Sequence, residues 1–224
     1  MNVFVEALGW LAEPAHWSGP TSIPVRVIQH LALKLGVTFI ACAIAIPLGA
    51  WMGHRHRGEA TIVLAANATR ALPTLGLVTL VALGLGIGLG APIVALVVLA
   101  VPSVLAAAYS GVANVTPDAV DAGRALGYTP LQTLTRVEVP LALPVIGGGV
   151  QSALLQVVAT ATIAAYVSDA GLGRFVFAGL RSLDYAEMLA GSLLIIGLAL
   201  VLTGLATAVG AFYRRATTTE RKTT

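Results

Sequence analysis

The residues with chemically suggestive types and spacing lie in one polar stretch of an otherwise apolar chain. This stretch, residues 114–138 (NVTPDAVDAGRALGYTPLQTLTRVE), separates two long apolar segments, and we call it the polar island. The sequence has no GxxxxGK[ST] phosphate loop, no His/Cys cluster with metal-ligand spacing and no serine in a nucleophile elbow. We therefore expect no catalytic residue, metal site or cofactor in this chain, and predict that the island binds another protein.

The island's charges and small residues favour a docking surface. Asp118 and Asp121 lie one helical turn apart near a predicted helix N terminus, where negative charge is favourable. Arg124 falls on the same face and is placed to pair with Asp121. Small residues that allow a partner backbone to approach closely occupy the other positions of this surface: Ala122, Gly123 and Gly127.

Two short helices are predicted within the island. Thr116 is a plausible N-cap before Pro117 in the first turn, and Thr129 before Pro130 can start the second helix in the same way. Gly127 lies between them, where its backbone freedom allows the chain to turn.

The composition places these elements in a membrane protein. The 224 residues are 57% hydrophobic and only 10% charged, whereas soluble domains are roughly 25% charged. The apolar segments are long and do not alternate with period two, which predicts an all-α polytopic membrane protein rather than a barrel. The single Cys42 excludes a disulfide within the chain, and nothing indicates nucleic-acid binding.

Five core spans are predicted, which place the N terminus on the extracytoplasmic side. Splitting the long second span would make six and move the N terminus to the cytoplasm. The N-terminal segment, 1–30, lacks the pattern of a cleaved signal peptide and is expected at the membrane surface, anchored by Trp10 and Trp17. Lys34 is expected to extend towards the interface. Residues 214–224 are expected to form a polar tail. The predicted spans are 31–53, 59–88, 92–111, 141–167 and 189–213.

The distribution of Lys and Arg predicts the orientation, because cytoplasmic loops are enriched in them. One side collects Arg55, Arg57, Arg124, Arg136, Arg214, Arg215, Arg221 and Lys222. The other side collects Arg26, Arg174 and Arg181. We therefore expect a multi-pass protein of the cell membrane, with the island and the C terminus in the cytoplasm.

Polar residues within the spans are the candidates for a translocation path. Arg70 and Pro73 interrupt the second span, and Arg70 either lines a path and contacts a solute carboxylate or pairs with backbone carbonyls beside the Pro73 break. Tyr109 and Tyr166 could offer aromatic faces to a quaternary ammonium group, or could pack between helices. His54 and His56 are interpreted as part of a solvated basic loop rather than as metal ligands.

Four motifs in order carry a resemblance to a known family. The island resembles the cytoplasmic loop of ATP-binding-cassette importer permeases, with Asp121 replacing the usual Glu and Gly123 replacing the second Ala. The motifs together resemble the osmoprotectant branch, which comprises permeases for glycine betaine, carnitine, choline and proline betaine. They are LPTLGLVTLV (72–81), SGVANVTPDAVDAGRALGYTP (110–130), RVEVPLALPVIGGG (136–149) and SDAGLGRFVFAGL (168–180).

The resemblance implies a type I importer transmembrane domain, similar to methionine permeases, over residues 31–213, with a coupling loop at 114–140. It implies a non-catalytic subunit that forms a homo- or heterodimer with a second permease. The other implied partners are a cytoplasmic ATPase dimer, an extracytoplasmic substrate-binding protein and the lipid bilayer. Permeases for methionine, a sulfonate or a phosphonate share the loop pattern and remain alternatives, as does, less favoured, an ATP-independent channel or secondary transporter.

Overall fold

The computed structural model describes the backbone of residues 2–220 and the side chains of residues 2–210, apart from positions 159 and 209. Within that part every regular element is helical, which confirms the predicted all-α class. The α-helices are α1 (Val3–Ala12), α2 (Ile23–His54), α3 (Glu59–Ala71), α4 (Thr74–Leu85), α5 (Gly90–Ala113), α6 (Pro117–Ala125), α7 (Pro130–Thr133), α8 (Val139–Thr160), α9 (Gly173–Ser182) and α10 (Tyr185–Glu220). Two 3₁₀ turns (Pro14–Trp17 and Ala161–Tyr166) and one π-helical turn (Leu134–Glu138) complete the order.

Four helical segments in the described chain are long and apolar enough to cross a membrane: Ile23–His54, Gly90–Ala113, Pro130–Tyr166 and Tyr185–Ala208. Helices α3 and α4 pass the same criteria only as a pair and are bent by 93° at their junction. The break falls at Pro73, which lacks an N–H and restricts the residue before it, so a regular helix cannot continue. Counting the bent pair as one span gives five, the predicted number.

Two features near the start of α2 differ from the sequence predictions. Helix α2 begins at Ile23 rather than at residue 31, and α1 and a 3₁₀ turn precede it. Lys34 does not extend towards an interface, because it is completely buried. The predicted tail at 214–224 continues α10 as far as Glu220. Its last four residues, and the side chains of its charged residues, lie outside the described part of the chain.

The second helix of the island is continuous with a membrane-spanning segment. Helix α7 runs through the π-helical turn directly into α8, so no loop separates the island from the span. The Val139 N–H donates to the Leu134 carbonyl, five residues back. Pro140 follows at once, and a π-helical turn accommodates the backbone bond that a proline cannot make. The sequence prediction of two separate short helices was wrong for the second one.

The described helices form two compact units. The first comprises Met1–Val37, Leu72–Val97 and Leu155–Gly204, and the second comprises Thr38–Ala71, Val98–Leu154 and Leu205–Thr224. In the first, a small core of Ile23, Leu172 and Phe175 packs against side chains of α1 and α10.

Small residues bring helices close together in the second unit. A methyl group on Gly49 would lie 2.6 Å from the Leu105 carbonyl oxygen, and one on Gly53 would lie 2.7 Å from that of Tyr109. On α8, a methyl group on Gly149 would collide with the Ala107 side chain. Helix α5 therefore touches α2 and α8 nearly backbone to backbone, a packing that is typical of membrane helices.

We predict that Gly149→Ala destabilises the protein, whereas the neighbouring Gly148→Ala does not. The added methyl group at position 149 overlaps Ala107, and overpacking of this kind costs about 1–3 kcal/mol. A methyl group at position 148 meets nothing within 4 Å, and alanine favours a helix over glycine by about 1 kcal/mol. The measurement is thermal unfolding of the two purified variants in detergent. Equal melting temperatures for both would contradict the close contact between α5 and α8.

Candidate functional site

The first helix of the island ends in a tight glycine turn. Gly127 has a φ of +81°, which glycine adopts without strain. The Tyr128 N–H donates to the Gly123 carbonyl at 3.1 Å, and the Gly127 N–H donates to the Arg124 carbonyl at 2.9 Å. This pair of bonds is the Schellman motif that commonly ends helices. The predicted turn at Gly127 is confirmed, and it separates α6 from α7.

The two threonines predicted to cap the island helices behave differently. The Thr129 hydroxyl accepts a hydrogen bond from the Gln132 N–H, and the Gln132 side chain accepts one from the Thr129 N–H, which makes a capping box. Thr116 occupies the N-cap position of α6, but its side chain makes no capping bond, so that part of the prediction was wrong. Pro117 lies in the first turn as predicted.

The predicted docking residues divide into an exposed group and one internal contact. Gly123 is buried, and a methyl group there would lie 3.2 Å from the Val137 side chain and 3.5 Å from the Tyr128 ring. The small size of Gly123 therefore lets α6 pack on the following π-helical turn. This contact is internal, whereas the sequence predicted a contact with another protein. The other predicted docking residues are exposed: Asp118, Asp121, Ala122, Arg124 and Gly127.

The exposed face combines a charge pair with an apolar tip. The Arg124 guanidinium donates to the Asp121 carboxylate at 3.1 Å, which confirms the predicted pair, although both side chains are about two-thirds exposed. Leu126, beside the Gly127 turn, is 75% exposed, and sequence reasoning did not single it out. Its exposure leaves this apolar side chain available for contact with a partner protein.

The base of the island is anchored to the second unit. Leu134 belongs to a buried cluster that includes Ala50 of α2, Val112 of α5 and Ile146 of α8. Thr133 is buried one residue earlier, and its hydroxyl donates to the Thr129 carbonyl at 3.1 Å. The island is consequently fixed to three helices rather than free to move as a loop.

A nearly buried hydrogen bond between two polar side chains reinforces this anchor. Nδ1 of His54, at the end of α2, lies 2.6 Å from Oε2 of Glu138 in the π-helical turn. The two side chains are only 12% and 7% exposed. The interpretation of His54 as a solvated loop residue was therefore wrong. Sequence reasoning missed this pair, but a signal existed: two polar residues of complementary type border separate apolar spans.

The candidate path residues occupy diverse environments. Arg70 is exposed in the last turn of α3, and Tyr109 is buried where α5 meets Gly49 and Gly53 of α2. Both belong to the second unit. In the first unit, Pro73 is the N-cap of α4, and the half-exposed Tyr166 makes an edge-to-face contact with Phe177 at 5.6 Å.

Comparison with known proteins assigns the chain to a family. The model of the family described as "Binding-protein-dependent transport system inner membrane component" matches residues 45–217, which include the island and its anchor. The chain belongs to this family. It is therefore a multi-pass inner-membrane permease of an importer system that works with a binding protein, as the resemblance implied.

Two relatives in this permease family come from Bacillus subtilis. A choline transport system permease protein is 29% identical over 177 residues, covering 79% of this chain and 82% of the relative. A glycine betaine/carnitine/choline transport system permease protein is 27% identical over 174 residues, covering 78% and 80%.

The fold is also found in a solved structure. A chain of the MetNI methionine ABC transporter, in an inward-facing conformation, matches 92% of this chain and 98% of its own length, with a TM-score of 0.72 and 24% identity. This likeness confirms the predicted type I importer permease fold.

We predict that removing one partner of the buried His54–Glu138 pair destabilises the permease more than breaking the exposed pair. Glu138→Ala leaves a nearly buried imidazole without its acceptor, at a cost of about 1–3 kcal/mol. Asp121→Ala removes an exposed partner of Arg124, worth about 0.2–1 kcal/mol. Thermal unfolding of the variants in detergent measures both effects.

A double-mutant cycle with His54→Ala separates the pair from the effects of each side chain alone. The cycle should yield a coupling energy of at least about 0.5 kcal/mol for this contacting pair. Additive effects of His54→Ala and Glu138→Ala would show that the contact contributes nothing to the anchor.

Proposed function

We propose that this chain is the transmembrane subunit of an ATP-driven importer for osmoprotectants such as glycine betaine, carnitine, choline or proline betaine. The observation that carries the proposal is the similarity over about four-fifths of the chain to permeases whose names include choline, glycine betaine and carnitine. The four sequence motifs support the same solute class. The subunit forms the path and performs no reaction, and ATP hydrolysis takes place on a separate cytoplasmic subunit.

The assembly proposed for this function has several chains. Two permeases, identical or related, pair in the membrane and each contacts one of two ATPase subunits. A binding protein delivers the solute on the opposite side. The excess of Lys and Arg supports a cytoplasmic location for the island and the C terminus.

The island is the proposed contact with the ATPase. Three features support this role: a helix that projects Asp118, Asp121 and Arg124, the exposed Leu126 at its tip, and an anchor that ties its base to three helices. A rigid attachment matters because a docking helix that moved independently of the spans would transmit no force to them. The glycine turn, closed by two backbone hydrogen bonds, connects this helix to α7.

Uptake measurements test the proposed solute class. Cells that depend on this importer should accumulate labelled glycine betaine or choline, and unlabelled carnitine or proline betaine should compete if they share the path. Methionine should not compete, because the likeness to the methionine transporter concerns the fold alone. If the cells instead took up methionine and betaines did not compete with it, the osmoprotectant assignment would be wrong. The assignment as a permease would still hold.

Arg70, Pro73, Tyr109 and Tyr166 remain the proposed path residues, and Arg70 is the one that tests the idea most directly. Its charge is exposed at the end of α3, beside the bend at Pro73. Charged residues within membrane segments usually face a water-filled cavity or the bundle interior. If Arg70→Ala left the complex assembled and uptake unchanged, Arg70 would not line the path.

We predict that Gly127→Trp lowers the amount of ATPase that copurifies with the permease by at least about tenfold, equivalent to 1.4 kcal/mol of binding free energy. The bulky ring would project from the tip into the space that a partner occupies, because a methyl group at position 127 meets nothing within 4 Å. Gly127→Asn is the matched control, since asparagine tolerates a positive φ. The amount of ATPase that copurifies with this variant should stay within about twofold of the wild-type amount, which is a smaller change in binding free energy than a tenfold loss.

A second variant separates lost docking from a distorted turn. Leu126 has an ordinary φ of −78°, so Leu126→Asp leaves the turn geometry intact while removing the apolar tip. It should also reduce copurification of the ATPase. Full retention of the ATPase by both Gly127→Trp and Leu126→Asp would count against the docking assignment.

A further inference from the structure

Three basic residues follow one face of α2. Arg26, His30 and Lys34 are spaced four residues apart, which stacks them along the helix at about 6 Å per step. Their exposed fractions are 4%, 1% and 0%. We call this set the α2 basic stripe. It lies entirely in the first unit, and its residues are not among those proposed for the ATPase contact.

The stripe lacks acceptors. Within the part of the chain that the structure describes, both ring nitrogens of His30, Nζ of Lys34 and Nε of Arg26 are buried without a hydrogen-bond partner. About nine-tenths of buried polar groups in proteins have a partner, and a buried cation is especially costly without one. Three successive residues of the stripe thus have side-chain nitrogens without a hydrogen-bond acceptor. This pattern indicates a site for a group that the chain itself does not supply.

The outer end of the stripe is already paired, and its inner end is not. The Arg26 guanidinium donates to the Asp169 backbone carbonyl and lies 3.4 Å from the Asp169 carboxylate, which also lies 2.9 Å from Arg174. Arg26 and Arg174 line an open cleft of about 400 Å³. The stripe thus runs from this cleft into the interior, and the two inner residues, His30 and Lys34, have no hydrogen-bond partner for their side-chain nitrogens.

The backbone beside His30 leaves little free space there. Gly171, with a φ of +78°, lies so close that a methyl group on it would be 2.9 Å from His30 Nδ1. The Gly171 N–H donates to the Gln29 side chain at 3.1 Å, which holds the loop against α2. His30 is therefore fixed in position, and Lys34 one turn further has the full donor capacity of an ammonium group. An ammonium group offers three donors and no acceptor, so its missing partner is a hydrogen-bond acceptor, and its charge favours an anionic oxygen over a neutral one.

We infer that the α2 basic stripe, with Lys34 as its principal residue, binds the carboxylate group of the transported solute. The inference rests on the proposed function and makes it more specific. Glycine betaine, carnitine and proline betaine carry a carboxylate, whereas choline carries a hydroxyl group in its place. The stripe consequently favours betaines over choline. The discrimination depends on the carboxylate that α2 contacts and not on the quaternary ammonium group, which all four solutes share.

Replacement of Lys34 tests this selectivity. Lys34→Met keeps an unbranched side chain of similar length and removes the charge. In the complete complex reconstituted in vesicles, glycine betaine uptake should fall at least about tenfold, the size expected for a lost charge-assisted hydrogen bond. Choline uptake should change by less than about twofold, well below the tenfold loss expected for glycine betaine. Lys34→Arg should restore part of the glycine betaine uptake.

The matched control is Leu35→Met, at the neighbouring and exposed position of α2. It should leave the uptake of both solutes unchanged. An equal loss of both solutes in Lys34→Met, or dissociation of a second permease, would show that Lys34 supports the structure or pairs with another chain, and would overturn the inference. Unchanged uptake of glycine betaine would overturn it as well.

A binding readout keeps the test independent of the proposed function. Sodium acetate supplies a carboxylate without the quaternary ammonium group, and sodium chloride at equal ionic strength is its control. Acetate should raise the melting temperature of the full-length permease, purified with the subunits that accompany it, and should not do so for Lys34→Met. If neither betaines nor choline are transported, the proposed function is wrong. The change in melting temperature with acetate then tests by itself whether the stripe binds a carboxylate. The absence of a difference between wild type and Lys34→Met would overturn it.

Discussion

Close backbone contact between helices is the interaction on which the second unit depends. Lipid chains are as apolar as leucine, so burying apolar side chains gives membrane helices little reason to associate. Dispersion contacts between surfaces that approach closely have to supply much of the attraction. Gly49 and Gly53 of α2, and Gly149 of α8, provide such surfaces to α5. Since Leu134 packs into the same region, the island is positioned by these contacts too.

The base and the tip of the island differ in their exposure to solvent. The base excludes water around Leu134 and around the His54–Glu138 pair, whereas the tip exposes Leu126 and the Asp121–Arg124 pair. Exposed pairs contribute little to stability, which leaves their charges available for a partner. Membership of the binding-protein-dependent permease family is consistent with this division between a fixed attachment and an accessible surface.

The sequence predicted the features that depend on local chemistry. The proline break at Pro73, the glycine turn at Gly127 and the Asp121–Arg124 pair all follow from a residue's own conformational limits or from spacing within one helix. Features that depend on residues distant in sequence were missed. His54 and Glu138 are 84 positions apart, and no local pattern brings them together. Lys34 was expected near an interface because it lies near the start of a predicted span. It is buried instead, and its burial depends on helix packing that hydrophobicity alone does not predict.

The π-helical turn at Leu134–Glu138 fixes the rotational phase between the island and the span that follows it. An α-helix advances about 100° per residue, so losing one residue from the regular first turn of α8 would rotate the island by roughly that angle about the axis of α8. The Gly127 tip would then point to a different quadrant, and Glu138 would leave His54. Length changes that a solvent-exposed loop would absorb are therefore not permitted in this segment, and the spacing between the island and α8 is as strict a requirement as the identity of the residues themselves.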